Sequence, residues 1–193
     1  MLDYLRSVCP DVRIVRGDFD DAALAASWSD TALLTLGGLR VGLTHGHACV
    51  PWGDPAAVAL VARRLGADVL VSGHSHALRA AVSPEGVLHI DPGSATGAAP
   101  AFQCGSSGAQ AGEPSTPSFV LMDVADGRAT VYTYRLVEGA SPEAGKSVKV
   151  EKLAYVKGVA PAAVGGGGGG AAPGAPAAAA APPSPAPSPP AAA

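Results

Sequence analysis

The sequence has 193 residues, 13 Lys+Arg against 16 Asp+Glu, a net charge of −3, and no charged residue beyond Lys157. That leaves room for one domain, residues 1–157, and without a basic run it excludes nucleic acid as a main partner. No apolar stretch reaches the ~18 residues that span a bilayer, the charged start Met1-Leu2-Asp3-Tyr4-Leu5-Arg6 is no signal peptide, and three scattered Cys (Cys9, Cys49, Cys104) fit a reducing compartment, so a cytoplasmic protein is expected.

In chain order, Leu2, Leu5 and Val8 stand at helical spacing before Pro10 and predict a short helix. Val12 to Val15 reads as a short buried strand, and Asp20 to Ser29 as a loop or frayed helix. Leu33 to Leu36 and Leu39 to Thr44 flank Gly37-Gly38, whose tolerance of positive φ suits a two-residue hairpin turn. Asp54 as N-cap, Pro55 in the first turn and Gly66 at the end bracket a helix whose apolar face is Val58, Val61 and Leu65. It leads into the strand Val69 to Ser72. Leu78 to Val82 and Val87 to Ile90 form a second hairpin around Ser83-Pro84-Glu85-Gly86. Phe119 to Val124 and Thr130 to Leu136 form a third around Asp126-Gly127, and Val148 to Val156 is a last strand. Residues 103–117, rich in Gly, Ser and Ala, are expected to be a mobile insertion, and the Gly/Ala/Pro-rich residues 158–193 a disordered tail. Strand–helix–strand order first and antiparallel hairpins later predict two sheets packed face to face with helices outside.

Three apolar runs end in Gly-containing turns that carry metal-ligand residues: Gly17-Asp18-Phe19-Asp20, His45-Gly46-His47 and Gly73-His74-Ser75-His76. Ligands at the ends of strands of one sheet converge in space. A lone strand-end His is more often a hydrogen-bonded structural residue, and His89 is read that way. Four of the five His lie in two His-x-His motifs, which reverses that expectation.

Val15-Arg16-Gly17-Asp18-Phe19-Asp20, the two His-x-His motifs, Pro51-Trp52-Gly53-Asp54 and Asp91-Pro92-Gly93-Ser94-Ala95-Thr96-Gly97 together resemble the calcineurin-like metallophosphoesterase family, and within it the branch that serves as a retromer subunit. The resemblance runs from Met1 to about Lys157. It implies a four-layer α/β/β/α sandwich with a two-metal site at strand ends. Family members begin with a strand ending in Asp-x-His and a second ending in Gly-Asn or Gly-Asp, neither of which is in this sequence, so an N-terminally incomplete fold is expected. A missing leading strand is further expected to strip Val12–Val15 or Val69–Ser72 of a hydrogen-bonding neighbour. Carried over residue by residue, Asp18, His45 and His74 match the second metal's ligands and His76 the first's. His47 matches a residue near the phosphate, and Phe19 stands where the usual acid would be. The ligand set implies one weakly held divalent ion, Zn or Mn.

A phenyl ring can neither donate nor hold a proton, so the resemblance implies a non-catalytic scaffold. It would serve retromer in endosome-to-Golgi retrograde transport and cargo recycling, cytoplasmic and peripheral on the endosome membrane, touching membrane only through the complex. The implied partner is the α-solenoid subunit, vacuolar protein sorting-associated protein 35, docked at the metal-site face through Val50, Pro51 and Trp52. Regulators are expected on a second face with Leu121, Tyr132 and Tyr134, which alternation places on shared sides of their strands. The alternative is a metal-dependent phosphoesterase.

Overall fold

Gly37 and Gly38 take φ of 49° and 82°, a conformation that costs glycine little, and they join β1 (Thr31–Leu36) to β2 (Leu39–Thr44) in the expected hairpin. The computed structural model describes residues 2–100, 115–138 and 145–159. Before the hairpin come two short helices, α1 (Leu2–Val8) and α2 (Ala22–Ala25). Val12 to Val15 is not a strand. Only Val15 bridges a neighbour, Ser29, and the segment stays partly or wholly exposed. Apolar β-formers alone do not make a strand, because the ladder needs a partner with which to share hydrogen bonds.

After β2, α3 (Pro55–Leu65) starts where Asp54 Oδ1 accepts from the Ala56 N–H at 2.9 Å. It stops where Gly66 turns left-handed with φ 63°. The face expected from Val58, Val61 and Leu65 is only half-buried. The fully buried positions are Ala57 and Ala62 instead, because small residues let the helix lie close to the sheet. Next come β3 (Val69–Ser72), β4 (Arg79–Val82) and β5 (Leu88–Asp91). They complete a five-stranded sheet in the order β1-β2-β3-β5-β4, with β2, β3 and β5 parallel. β3 therefore has a hydrogen-bonded neighbour on each side, contrary to the expectation that Val69–Ser72 is stripped of one.

The remaining strands, β6 (Ser118–Ala125), β7 (Arg128–Glu138) and β8 (Lys146–Val156), form an antiparallel three-stranded sheet. Leu39, Val41, Val69, Leu88 and Ile90 of the first sheet face Ala129, Val131 and Tyr155 of the second across one buried core. The Tyr155 hydroxyl lies 2.9 Å from Gly86 O and 3.1 Å from Asp68 O, and its single proton, shared between these two carbonyls, ties the sheets together. Helix on sheet on sheet is thus the described part of the α/β/β/α sandwich. Most of the expected insertion, residues 103–114, and all of the expected tail beyond Val159 lie outside the described residues. No helix among the described residues is long and apolar enough to cross a membrane.

His89 sits in β5 with Nε2 2.7 Å from Ser72 Oγ on β3. Burial, and secondarily the Arg79 charge, push its pKa from 6.5 down to about 4. In the unfolded chain the imidazole gains its proton near pH 6.5, whereas in the folded chain it stays neutral to about pH 4. Stability from this group is therefore complete above pH 6.5 and falls by about 3 kcal/mol between pH 6.5 and 4. Denaturant midpoints for the wild type and His89→Asn at pH 7.5 and 4.5 check this. The variant should lose less stability on acidification, and an equal loss in both would contradict it.

Candidate metal centre

The C-terminal ends of the parallel strands β2 and β3 lie side by side, with Thr44 paired to Ser72. The next residue after Thr44 is His45, and the Gly73 N–H donates to its carbonyl at 2.9 Å. This places the loops carrying His45 and His74 in backbone contact. A Cβ on Gly46, whose φ is 108°, would lie 2.5 Å from Gly73 O. Only glycine fits there. Gly46→Ala should therefore cost about 2–4 kcal/mol and loosen the His45–His74 spacing. A thermal melt together with a Zn²⁺ titration checks it; unchanged values in both would contradict the close-approach argument.

Asp18 comes from the turn after Val15. There the Gly17 N–H donates to Asp20 Oδ2 at 2.7 Å, and Arg16 pairs with Asp30 at 2.7 Å. A Cβ on Gly17 would lie 3.1 Å from the His45 ring, so this glycine too gives the imidazole its room. Asp18 Oδ1 is 3.3 Å from His45 Nδ1 and 3.7 Å from His74 Nδ1. One ligand atom from each of Asp18, His45 and His74 lies within 4.8 Å of the others. Their side chains are 26%, 31% and 8% exposed, a site open on one side. His74 and His76 both hold left-handed backbone, at φ 71° and 54°, which non-glycine residues adopt at some energetic cost and most often at functional sites.

Burial is the largest influence on His45 and His74 and lowers the pKa of each. It outweighs the upward pull of Asp18, and the neighbouring His47 and His76 add to the lowering. Both rings are thus held neutral with a lone pair to offer, the form that binds a metal. A carboxylate and two imidazoles make an open three-ligand set that suits a borderline divalent ion with room for a further ligand.

Residues 1–127 match the calcineurin-like phosphoesterase superfamily domain. Over 155 residues the sequence is 37% identical to vacuolar protein sorting-associated protein 29 (Vps29) of Schizosaccharomyces pombe, covering 80% of this chain and 74% of that protein. The chain belongs to the Vps29 family of calcineurin-like phosphoesterases. The crystal structure of Vps29 from Chaetomium thermophilum superposes with a TM-score of 0.66 at 34% identity, covering 81% of this chain and 74% of that one. Vps29 from Entamoeba histolytica complexed with Zn²⁺ gives a TM-score of 0.65 at 35% identity, covering 79% and 74%. The donor chemistry of Asp18, His45 and His74 and the Zn²⁺ complex of that Vps29 relative together indicate a metal site.

Among the residues singled out in the sequence, the fold brings Asp18, His45 and His74 together and leaves His76 outside the group, its Nδ1 2.8 Å from Ala98 O. His47 stands beside them, Nδ1 to Nδ1 3.2 Å from His45. Phe19 is 73% exposed next to Asp18. In the loop after His47, Val50 and Pro51 are exposed while Trp52 is half-buried. The Trp52 ring lies edge-on to His74 at 4.7 Å, and its Nε1–H donates to His47 O at 2.8 Å. Trp52 therefore buttresses the centre as well as flanking it. On the second sheet, Leu121 lies opposite Tyr132 and Phe119 opposite Tyr134, the latter pair stacked at 4.7 Å. Tyr134 is also opposite Val150 of β8. Phe119 and Val150 extend the patch beyond the residues chosen from sequence, and strand alternation from Leu121 already pointed to Phe119.

Proposed function

We propose that residues 1–157 act as a non-catalytic scaffold subunit of retromer in endosome-to-Golgi retrograde transport and cargo recycling. In this reading the metal-site face docks on the α-solenoid subunit, vacuolar protein sorting-associated protein 35. The protein works in the cytoplasm, held peripherally at the endosome membrane through the complex. The observation that carries the reading is the rim of the metal centre, where Val50 is 67% exposed and Pro51 is exposed beside it. Apolar residues standing in water next to a loop braced by the Trp52 contacts have the make-up of an interface centre.

Membership of the Vps29 family supports this reading, and so does Phe19, which offers no proton at the position of the family's acid. A bound Zn²⁺ or Mn²⁺ would cross-link the loops carrying Asp18, His45 and His74 and stiffen the docking face. The patch of exposed Phe119, Leu121 and Val150 with half-buried Tyr132 and Tyr134 is assigned to regulators. The metal triad itself favours a second reading, a metal-dependent phosphoesterase. A Mn²⁺- or Zn²⁺-loaded sample assayed in parallel for solenoid binding and for hydrolysis of an aryl phosphate separates the two. The scaffold predicts binding with no hydrolysis above buffer. Metal-dependent turnover without binding would assign the phosphoesterase.

A further inference from the structure

β1 ends the five-stranded sheet, with β2 on one side and, among the described residues, no strand on the other. Its sequence, Thr-Ala-Leu-Leu-Thr-Leu, contains no charge and no proline. Those are two of the devices by which edge strands repel further pairing. The other terminal strands differ. β4 carries Arg79, β6 carries Asp123, and β8 carries Lys146, Lys149, Glu151 and Lys152.

The hairpin fixes which groups β1 offers. Leu36 and Leu39 flank the two-residue turn and form its hydrogen-bonded pair, and such pairs alternate along an antiparallel ladder. Ala32 and Leu34 therefore turn their backbone N–H and C=O toward β2. Thr31, Leu33 and Thr35 turn theirs outward, and all three are exposed.

We propose that this edge is a homodimer interface in which β1 pairs antiparallel with β1 of a second copy. The two-fold axis passes through Leu33, so that Leu33 faces the partner's Leu33 and Thr31 faces the partner's Thr35. The outward groups then form about six inter-strand hydrogen bonds, and the two sheets become one continuous sheet. The argument for a second copy as occupant is self-complementarity: an uncharged strand meets its own image without like-charge repulsion, and each outward donor finds an outward acceptor. The two Leu33 side chains, each 47% exposed in the single copy, cover one another. An interface of this size is small, so a weak dimer that forms only at high concentration is expected.

Sedimentation velocity over about 5–500 μM of the full chain tests this. The wild type should shift from monomer to dimer across the range. Leu33→Lys, placing like charges directly opposite one another, should weaken dimerisation at least about tenfold. Leu33→Val should keep the dimer, and so should Val50→Asp and Leu121→Glu, which alter other faces. A wild type monomeric at the highest concentration, a dimer indifferent to Leu33→Lys, or one abolished by Leu121→Glu would overturn the proposal. Circular dichroism of Leu33→Lys confirms that any loss of dimer is not loss of fold.

Discussion

Asp18→Ala and His45→Ala should each reduce Zn²⁺ affinity by at least about a hundredfold, because each removes one of three donors from a site with no fourth side chain in the group. His74→Ala should do the same and also leave the Trp52 ring without its edge contact. The wild type should take up one equivalent of Zn²⁺ or Mn²⁺ per chain, since the described residues hold one such group. The pH profile follows from the sign of the pKa shifts. Burial lowers both His45 and His74, so each stays neutral to a lower pH than a free imidazole, and affinity should begin to fall only below the ordinary imidazole range as protons displace the metal. Calorimetric titrations across pH 5–8 read all of this. Two tight equivalents per chain, or affinity already collapsing above pH 6.5, would count against the three-ligand centre.

What could be read from sequence was mostly what local chemistry decides. The Gly37-Gly38 turn and the Asp54, Pro55 and Gly66 signals of α3 act within a few residues, and they appear in the structure where the residues predict them. The triad was legible for a related reason, since a ligand just after a strand can point only to the sheet's end. Where partners are distant in sequence, the reading fell short. Val12–Val15 has the composition of a strand, but pairing is a property of two segments, and only Val15 finds a bridge. Which face of α3 is most buried depended on how closely the sheet lets the helix approach, and that favoured Ala57 and Ala62 over the larger residues. Trp52 read as an interface residue alone, because its contact with His74 requires two loops 22 residues apart to meet. Alternation located the Leu121 face with Phe119 on it, but only the β7–β8 register shows that Val150 belongs to it.

Val50→Asp should weaken binding to the solenoid subunit by roughly thirtyfold to several thousandfold, equivalent to about 2–5 kcal/mol. In the free chain Val50 is exposed, so a carboxylate there is solvated and folding is undisturbed. In the docked complex the same carboxylate would be stripped of water within an apolar contact. The penalty thus falls on the complex alone. Leu121 makes the contrast. It is 53% exposed on β6 of the other sheet, so Leu121→Glu should leave solenoid affinity unchanged while removing a regulator that uses the aromatic patch. The decisive measurement is calorimetric affinity for the purified solenoid subunit with wild type, Val50→Asp and Leu121→Glu, all at matched metal loading. The scaffold account predicts a loss of at least about thirtyfold for Val50→Asp and none for Leu121→Glu. Equal weakening by both substitutions, or by neither, would contradict docking through the metal-site face.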